Sequence, residues 1–250
     1  MSGIPNPLAD LAALMAKQEP LCDELAACVS RRGSFLALHH RLMVEAPYFP
    51  GMNAVYNERY RAIKRRFDEC VEAGDWNSAT WLTARPYRIE LLIEHGDRMD
   101  EPTYWGLLGD VIVDSENLWQ YRKVIRALVT PAHKDVRGRL LMMDPEERAW
   151  FESLPDTVTA YRGCLPHNRR GWCWTLDETQ ALWFARRFHR QQGLVLTASI
   201  DKADIIAVFQ RRERDEVFID PACPRVIKTT KAREYPARRA DPDGPKGVHP

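Results

Sequence analysis

The chain has 250 residues, of which 45% are hydrophobic, so it is long enough for one large domain or two small ones with a buried core. Its 36 Lys and Arg residues nearly balance its 35 Asp and Glu residues, and the net charge of +1 excludes a global charge argument for nucleic-acid or membrane binding. No stretch approaches the roughly 20 apolar residues of a membrane helix, and the first residues lack the basic segment of a signal peptide. The six cysteines form no CxxC pair. We therefore expect a cytoplasmic protein with reduced thiols, no metal site and no membrane association.

Apolar residues recur at three- and four-residue spacing from about residue 7 to residue 153, which is the period of amphipathic helices. Proline and glycine interrupt this pattern, so it predicts several helices of moderate length. The predicted helices are Leu8–Ala16, Leu21–Val29, Phe35–Val44, Val55–Ala73, Trp76–Thr83, Tyr87–His95, Thr103–Ser115, Leu118–Leu128 and Pro145–Ser153. The last of them follows Asp144, a residue type that caps helix N-termini.

Short β-rich runs follow Pro155, namely TVTAYRG, GWCWT, LVLTASI, DIIAVF, EVFID and RVIKTT. One helix interrupts them. It begins at Asp177, which forms a capping-box-like pattern with Gln180, and it ends at Gly193. Its predicted apolar face consists of Ala181, Phe184, Ala185 and Phe188.

The change from a helical to a β-rich residue pattern predicts a domain boundary near residues 138–157. We expect an α+β fold, in which a helical N-terminal region over residues 1–150 precedes a compact β-rich domain over residues 151–235. Residues 236–250 contain many Pro, Gly and Asp residues and almost no apolar side chain, which predicts a disordered tail. The nucleotide-binding patterns GxxxxGK[ST] and GxGxxG do not occur, so a nucleotide would not be held in a P-loop or Rossmann manner.

Three segments of the β-rich half carry candidate chemistry. The tripeptide Tyr161–Gly163 ends one predicted strand, Trp174 and Thr175 lead into the capped helix, and Glu216 opens the EVFID strand. In this order the segments resemble the ADP-ribosyltransferases of the Arg–Ser/Thr–Glu class, and more closely the small transferases of phages and bacterial defence loci. The resemblance covers about residues 157–230. It implies a compact two-sheet catalytic domain that uses NAD as co-substrate and, if the chain is a toxin, a dedicated antitoxin as partner.

Cleavage of the bond between nicotinamide and ribose develops positive charge on the ribose, which a carboxylate stabilises. Glu216 is the candidate for this role, and the resemblance implies that it also hydrogen-bonds a ribose hydroxyl. Arg162 offers a planar, permanently charged donor suited to the ribose and pyrophosphate of NAD. Gly163 would let the backbone approach the nicotinamide amide closely, and the resemblance implies that Thr175 orients Glu216 by a hydrogen bond.

Three aromatic residues are candidate walls for the nicotinamide ring, namely Tyr161, Trp174 and Phe184. The sequence leaves open which of them stacks on the ring. Aromatic side chains at helix and strand spacing also occur in hydrophobic cores, and that alternative applies to each of them.

The catalytic candidates have structural alternatives as well. Arg162 follows an aromatic residue at a strand end, where a surface salt bridge is common. Thr175 fits a helix cap. Glu216 belongs to a charged run in which Glu213 or Asp215 is an alternative acid.

The acceptor of ADP-ribose is constrained by the residue two positions before the acid. Relatives that modify arginine carry Glu or Gln there, whereas this chain has Arg214, and a guanidinium cannot act as a base. Basic clusters near the candidate segments favour RNA or DNA over protein as acceptor, although neighbouring acidic residues partly neutralise them. The clusters comprise Arg169, Arg170, Arg186, Arg187, Arg190, Arg211, Arg212, Arg214, Lys228, Lys231 and Arg233.

The sequence thus predicts an NAD-dependent ADP-ribosyltransferase that modifies a macromolecule, RNA in preference to protein, as a toxin or defence effector. Two alternatives belong to other classes. An NAD glycohydrolase would pass ADP-ribose to water and produce free ADP-ribose without a labelled macromolecule. A non-catalytic helical adaptor or phage structural protein would neither bind nor consume NAD.

Overall fold

A computed structural model describes residues 7–115, 118–131, 134–187, 192–211 and 215–235. Contacts divide the chain into two compact units, residues 1–95 and residues 96–250. The predicted tail over residues 236–250 lies outside the described residues, as do Phe188, Glu213 and Arg214. Within the described ranges, no helix combines the length and the apolar character that a membrane crossing requires.

The described part of the first unit combines helices with a small antiparallel sheet. Its helices are α1 (Pro7–Ala16), α2 (Asp23–Ala26), α3 (Asn53–Ala73), α4 (Trp76–Leu82) and α5 (Arg88–His95). Its strands are β1 (Val29–Arg32), β2 (Phe35–Leu38) and β3 (Ala46–Pro47), in the order β1-β2-β3. The helices α1, α3, α4 and α5 confirm four of the predicted helices to within two residues at each end.

The predicted helix Phe35–Val44 is wrong, because its first four residues form strand β2. The predicted helix Leu21–Val29 also shortens to α2, and Val29 opens strand β1. The register pairs Arg32 with Phe35 and leaves a two-residue loop, in which Gly33 has a φ of 58°. Glycine adopts this left-handed conformation without strain, so the local sequence favours a hairpin. A short apolar run such as FLAL does not distinguish strand from helix by periodicity alone.

The second unit packs helices with a larger sheet. Its described helices are α6 (Glu101–Asp114), α7 (Arg122–Val129), α8 (Pro145–Ser153) and α9 (Glu178–Arg186). Its strands are β4 (Thr157–Cys164), β5 (Cys173–Thr175), β6 (Leu194–Asp201), β7 (Ile205–Phe209), β8 (Glu216–Ile219) and β9 (Arg225–Lys231). All six predicted strands are present, and α8 has the predicted bounds. The fold is therefore mixed, with helices and antiparallel sheets.

The six strands form one hydrogen-bonded sheet in the order β7-β8-β5-β4-β6-β9, whereas two sheets were expected. Strand β4 pairs with β6 over eight residues, but it pairs with β5 through Tyr161 and Thr175 alone. We call this pair the junction. Because this pairing is so short, we describe the sheet as two three-stranded halves, β7-β8-β5 and β4-β6-β9, linked by the junction.

Helices α6 to α8 belong to the same compact unit as the sheet, although the change in sequence texture lies near residues 138–157. The residue pattern of a segment indicates which secondary structure it forms, whereas the division into compact units indicates which segments pack together. The predicted division near residue 150, with residues 1–150 as a target-recognition or regulatory region and residues 151–235 as the catalytic domain, therefore stays a prediction.

Glu147 of α8 ties this helix to the end of β7. Its side chain is 1% exposed, and Asp144 at the helix N-cap completes the capping box. The Glu147 carboxylate accepts hydrogen bonds from Gln210 N at 3.0 Å, from Arg211 Nη2 at 3.0 Å and from Asp144 N at 2.9 Å. Arg211 also forms an ion pair with Asp110 of α6. This network, the Glu147 network, holds the chain just before the segment that leads to β8.

Candidate active site

Three of the predicted site residues form a row across the sheet. Tyr161 of β4 pairs with Thr175 of β5, and Thr175 pairs with Glu216 of β8. Directly opposed residues of antiparallel strands point to the same face, with Cβ atoms about 4.5–5.5 Å apart. The fold therefore brings Tyr161, Thr175 and Glu216 together at the junction. We call these three residues the catalytic row, and their roles in a reaction stay predictions.

Thr175 is hydrogen-bonded to the helix that follows it. The side chain is 5% exposed, its hydroxyl donates to Gln180 Oε1 at 2.6 Å, and it accepts from Asp177 N at 3.1 Å. A hydroxyl has one proton to donate. Since that proton goes to Gln180, the bond from Thr175 to Glu216 that the resemblance implies is not the one the hydroxyl makes here.

Gln180 is the site neighbour that the sequence did not reveal. It was predicted as the capping-box partner of Asp177, but the Asp177 carboxylate accepts from Thr179 N at 2.7 Å, and the Gln180 amide is buried against Thr175 instead. A residue five positions after a candidate Thr gives no periodic signal. Its contact arises only because β5 and α9 are joined by a tight, capped turn.

Replacement of Gln180 by Met is expected to lower the free energy of unfolding by about 1–3 kcal/mol, because it leaves the buried Thr175 hydroxyl without its acceptor. If the catalytic row is functional, the rate of NAD consumption should also fall about tenfold or more, since Thr175 loses its fixed orientation. Urea denaturation and nicotinamide release measure the two effects. Thr179→Ala, an exposed position on the same helix, should change neither. Equal behaviour of the two variants would contradict the positioning role.

Arg162 lies next to Tyr161 on β4, and its side chain therefore alternates to the opposite face of the strand. Its Nη1 donates to Cys173 O at 2.5 Å and its Nη2 to Asn168 O at 3.2 Å. The guanidinium packs against Gly171, where an added Cβ would lie 1.9 Å from Nη2. Arg162 thus links β4 to Cys173 of β5 and to the segment before β5, which is not the surface salt bridge considered from the sequence. Its direct contact with NAD stays a prediction.

The electrostatic environment couples Arg162 to the catalytic row. Burial lowers the pKa of Arg162 below its usual value. The neighbouring Cys164, Cys173 and Glu216 oppose this shift but do not reverse it. Since an arginine remains charged in proteins, the Glu216 carboxylate lies within the electrostatic range of a buried cation. The Nε atom of Arg162 is buried and has no hydrogen-bond partner among the described residues. Burial also raises the pKa of the Cys164 thiol, which disfavours a thiolate nucleophile.

Gly163 has a packing role that the sequence interpretation missed. An added Cβ would lie 1.8 Å from Ala181 O and 2.7 Å from Ala185 N, both in the backbone of α9. The glycine therefore lets α9 pack directly on β4. The absence of a side chain at this position is explained by the helix, and a contact between Gly163 and nicotinamide stays a prediction.

Substitution Gly163→Ala is expected to destabilise the second unit by about 3 kcal/mol, because the new methyl group must displace helix backbone. Gly106 in α6 offers a matched control, since an added Cβ there meets no atom within 4 Å. Gly106→Ala should instead stabilise the protein by about 0.5–1 kcal/mol through helix propensity. Thermal unfolding of both variants measures the two effects. If Gly163→Ala leaves the unfolding temperature unchanged, β4 and α9 are less closely packed in solution than the structure shows.

The three candidate aromatic walls differ in exposure. Trp174 is 3% exposed, and its Nε1 donates to Gly171 O at 3.2 Å, so it is a core residue with its polar atom satisfied. We therefore remove Trp174 from the candidate wall. Tyr161 and Phe184 are only partly buried, so they remain candidates, although Tyr161 also packs against the core cluster that contains Ala181 and Val195.

Comparison of the chain with protein-family models, with curated proteins and with solved structures finds no match. No group of three or more His, Cys, Asp or Glu side chains in the described part of the chain could hold a metal ion. The functional assignment therefore depends on the motif segments and on the contacts among their residues.

Proposed function

We propose that the protein is an NAD-dependent ADP-ribosyltransferase, which transfers ADP-ribose to a macromolecule and releases nicotinamide. The observation that supports this proposal is the register that places Glu216 beside Thr175 and Thr175 beside Tyr161, from three segments distant in sequence. A carboxylate, a hydroxyl and a partly exposed aromatic ring then share one face of the sheet at the junction.

Each residue of the catalytic row has a distinct proposed task. Breaking the nicotinamide–ribose bond leaves positive charge on the ribose, and the Glu216 carboxylate would stabilise that charge as it develops. Thr175, fixed by Gln180, would shape the wall beside Glu216. Tyr161, which is only partly buried, would contact the nicotinamide ring.

Arg162 fits an anionic dinucleotide through its charge. Two of its nitrogens already bind Cys173 O and Asn168 O, so the buried Nε is the donor that has no partner among the described residues. We infer that Arg162 mainly positions the segment before β5 and adds positive potential beneath the catalytic row. We also propose that its guanidinium donates a hydrogen bond to the ribose or the pyrophosphate of NAD.

The proposed acceptor is a nucleic acid, RNA in preference to DNA or protein, and the proposed biological role is that of a toxin or defence effector with an antitoxin partner. Arg214 occupies the position where arginine-modifying relatives carry Glu or Gln, and it lies outside the described residues. A guanidinium at that position cannot take a proton from an acceptor.

Incubation of the full chain with NAD labelled in its adenylate moiety and cell lysate tests the proposal. We expect label in a macromolecular fraction that nuclease removes and protease does not. Label that only protease removes would establish a protein acceptor. Free ADP-ribose without labelled macromolecule would establish a glycohydrolase, and unchanged NAD would contradict any enzymatic role for the site.

A further inference from the structure

The two edge strands of the six-stranded sheet differ sharply. All five residues of β7 are buried, and Val208 N donates to Met143 Sδ at 3.2 Å, so neighbouring chain covers that edge. At the other edge, six of the seven residues of β9 are exposed. No described strand pairs with the outer side of β9, and an edge strand of this kind presents backbone groups to which a partner can bind.

Five cations lie on β9 or beside it, and we call them the basic edge. They are Arg169, Arg225, Lys228, Lys231 and Arg233. All five are exposed, and none forms an ion pair with a carboxylate of the described residues. Residues 221–235 contain one carboxylate, that of Glu234.

Some other arginines of the same unit are neutralised. Arg126 pairs with Asp220 at 2.6 Å, and Arg211 pairs with both Asp110 and Glu147. Arg186 keeps its charge, but its side chain is fixed by hydrogen bonds to the carbonyl oxygens of Ala232 and Tyr235. Arg170 and Arg187 are also exposed, whereas Arg190, Arg212 and Arg214 lie outside the described residues. The basic edge differs from these arginines in gathering five exposed cations around one open strand.

The register connects the basic edge to the catalytic row. Lys228 pairs with Thr197 of β6, and Thr197 pairs with Tyr161. Lys228 thus continues the line of the catalytic row on the same face, four strand steps from Glu216, or about 19 Å at the usual spacing of strands. A linear polyanion held at the basic edge is long enough to reach the row, whereas a single small anion is not.

We propose that the basic edge binds the phosphate backbone of single-stranded nucleic acid. Arg and Lys side chains neutralise phosphates, and the threonine hydroxyls of β9 add neutral donors of the kind that phosphates accept. Val226 and Ile227 are 43% and 63% exposed, and they offer apolar surface to sugars and bases between the cations. Delivery of this nucleic acid to the catalytic row as the ADP-ribose acceptor rests on the proposed function, whereas the binding itself does not.

Edge strands also carry lysines to deter aggregation. Lysines with that role alone would attract RNA no more strongly than exposed cations elsewhere on the surface. Comparison of the basic edge with an equal number of exposed cations elsewhere therefore separates the two explanations. Each phosphate contact with a single strand adds about −0.7 to the slope of log K against log salt concentration, so the slope reports how many contacts each variant loses.

Fluorescence anisotropy of a labelled 20-nucleotide oligouridylate RNA, titrated with the full chain at several salt concentrations, tests the proposal. Five contacts give an expected slope of about −3.5. The triple variant Arg225→Gln, Lys228→Gln, Lys231→Gln should lose about 2 from the magnitude of that slope, together with at least about tenfold in affinity at low salt.

A second triple variant, Arg59→Gln, Arg65→Gln, Lys123→Gln, removes the same charge from exposed positions on α3 and α7. It should keep the slope of the unmodified chain. Equal losses in both variants, no RNA binding by the unmodified chain, or binding of an acidic peptide in place of RNA would each overturn the proposal. NAD consumption without RNA binding would overturn this inference alone, and RNA binding without NAD consumption would overturn the proposed enzyme alone.

Discussion

Replacement of Glu216 by Gln is expected to reduce NAD consumption by about a hundredfold or more. The amide keeps the size of the side chain but carries no negative charge, so it cannot stabilise the positive charge that develops on the ribose. Because Glu216 is only partly buried at the start of β8, the free energy of unfolding should change by less than about 1 kcal/mol. Nicotinamide release by the purified chain and urea denaturation measure the two quantities.

Asp215 supplies the matched control, since it is an exposed carboxylate one residue earlier that accepts from Gln210 Nε2 at 3.1 Å. Asp215→Asn is expected to retain nearly all of the activity. If Asp215→Asn abolishes NAD consumption and Glu216→Gln does not, the acid has been assigned to the wrong residue. If the unmodified chain consumes NAD at a measurable rate and neither variant changes that rate, the catalytic row is not the site of the reaction.

The second large effect concerns stability. Substitution Glu147→Ala is expected to lower the free energy of unfolding of the second unit by about 3–5 kcal/mol. It removes a carboxylate that is 1% exposed and leaves Arg211, Gln210 N and Asp144 N without their shared acceptor. Urea denaturation followed by tryptophan fluorescence measures the change.

Glu146 provides a control in the same turn of α8, because it is exposed. Glu146→Ala should change the free energy of unfolding by no more than about 0.5 kcal/mol. A loss below about 1 kcal/mol for Glu147→Ala would mean that water replaces the carboxylate, and the Glu147 network would then not anchor the chain before β8.

Elements with a local signal were predictable from the sequence. Asp144 has the oxygen that caps a helix, and α8 begins where the cap places it. The β-branched runs of the second half all became strands, because β-branched side chains favour extended backbone. The hairpin at Gly33 was missed because an apolar run of four residues fits either period, and the tight turn outweighed the weak helical pattern.

The resemblance of three segments indicated residues that the sheet register places side by side, namely Tyr161, Thr175 and Glu216, and their roles stay predictions. The contacts of these residues were not predictable. The partner of Thr175 and the neighbours of Gly163 depend on how α9 packs on the sheet, which no local pattern specifies. Pairing between distant strands is likewise a tertiary property, so the sequence did not show that the two expected sheets are linked into one by a single residue pair.

The shortness of the junction has a mechanical consequence. Thr175 and Glu216 belong to one half of the sheet, and Tyr161 and Arg162 belong to the other. Backbone pairing joins the halves through one residue pair, whereas α9 packs on β4 at Gly163 and also holds Thr175 of β5 through Gln180. The helix therefore connects the halves more broadly than the sheet ladder does, and a substitution that shifts α9 would change the distance between Tyr161 and Glu216 without unpairing a strand.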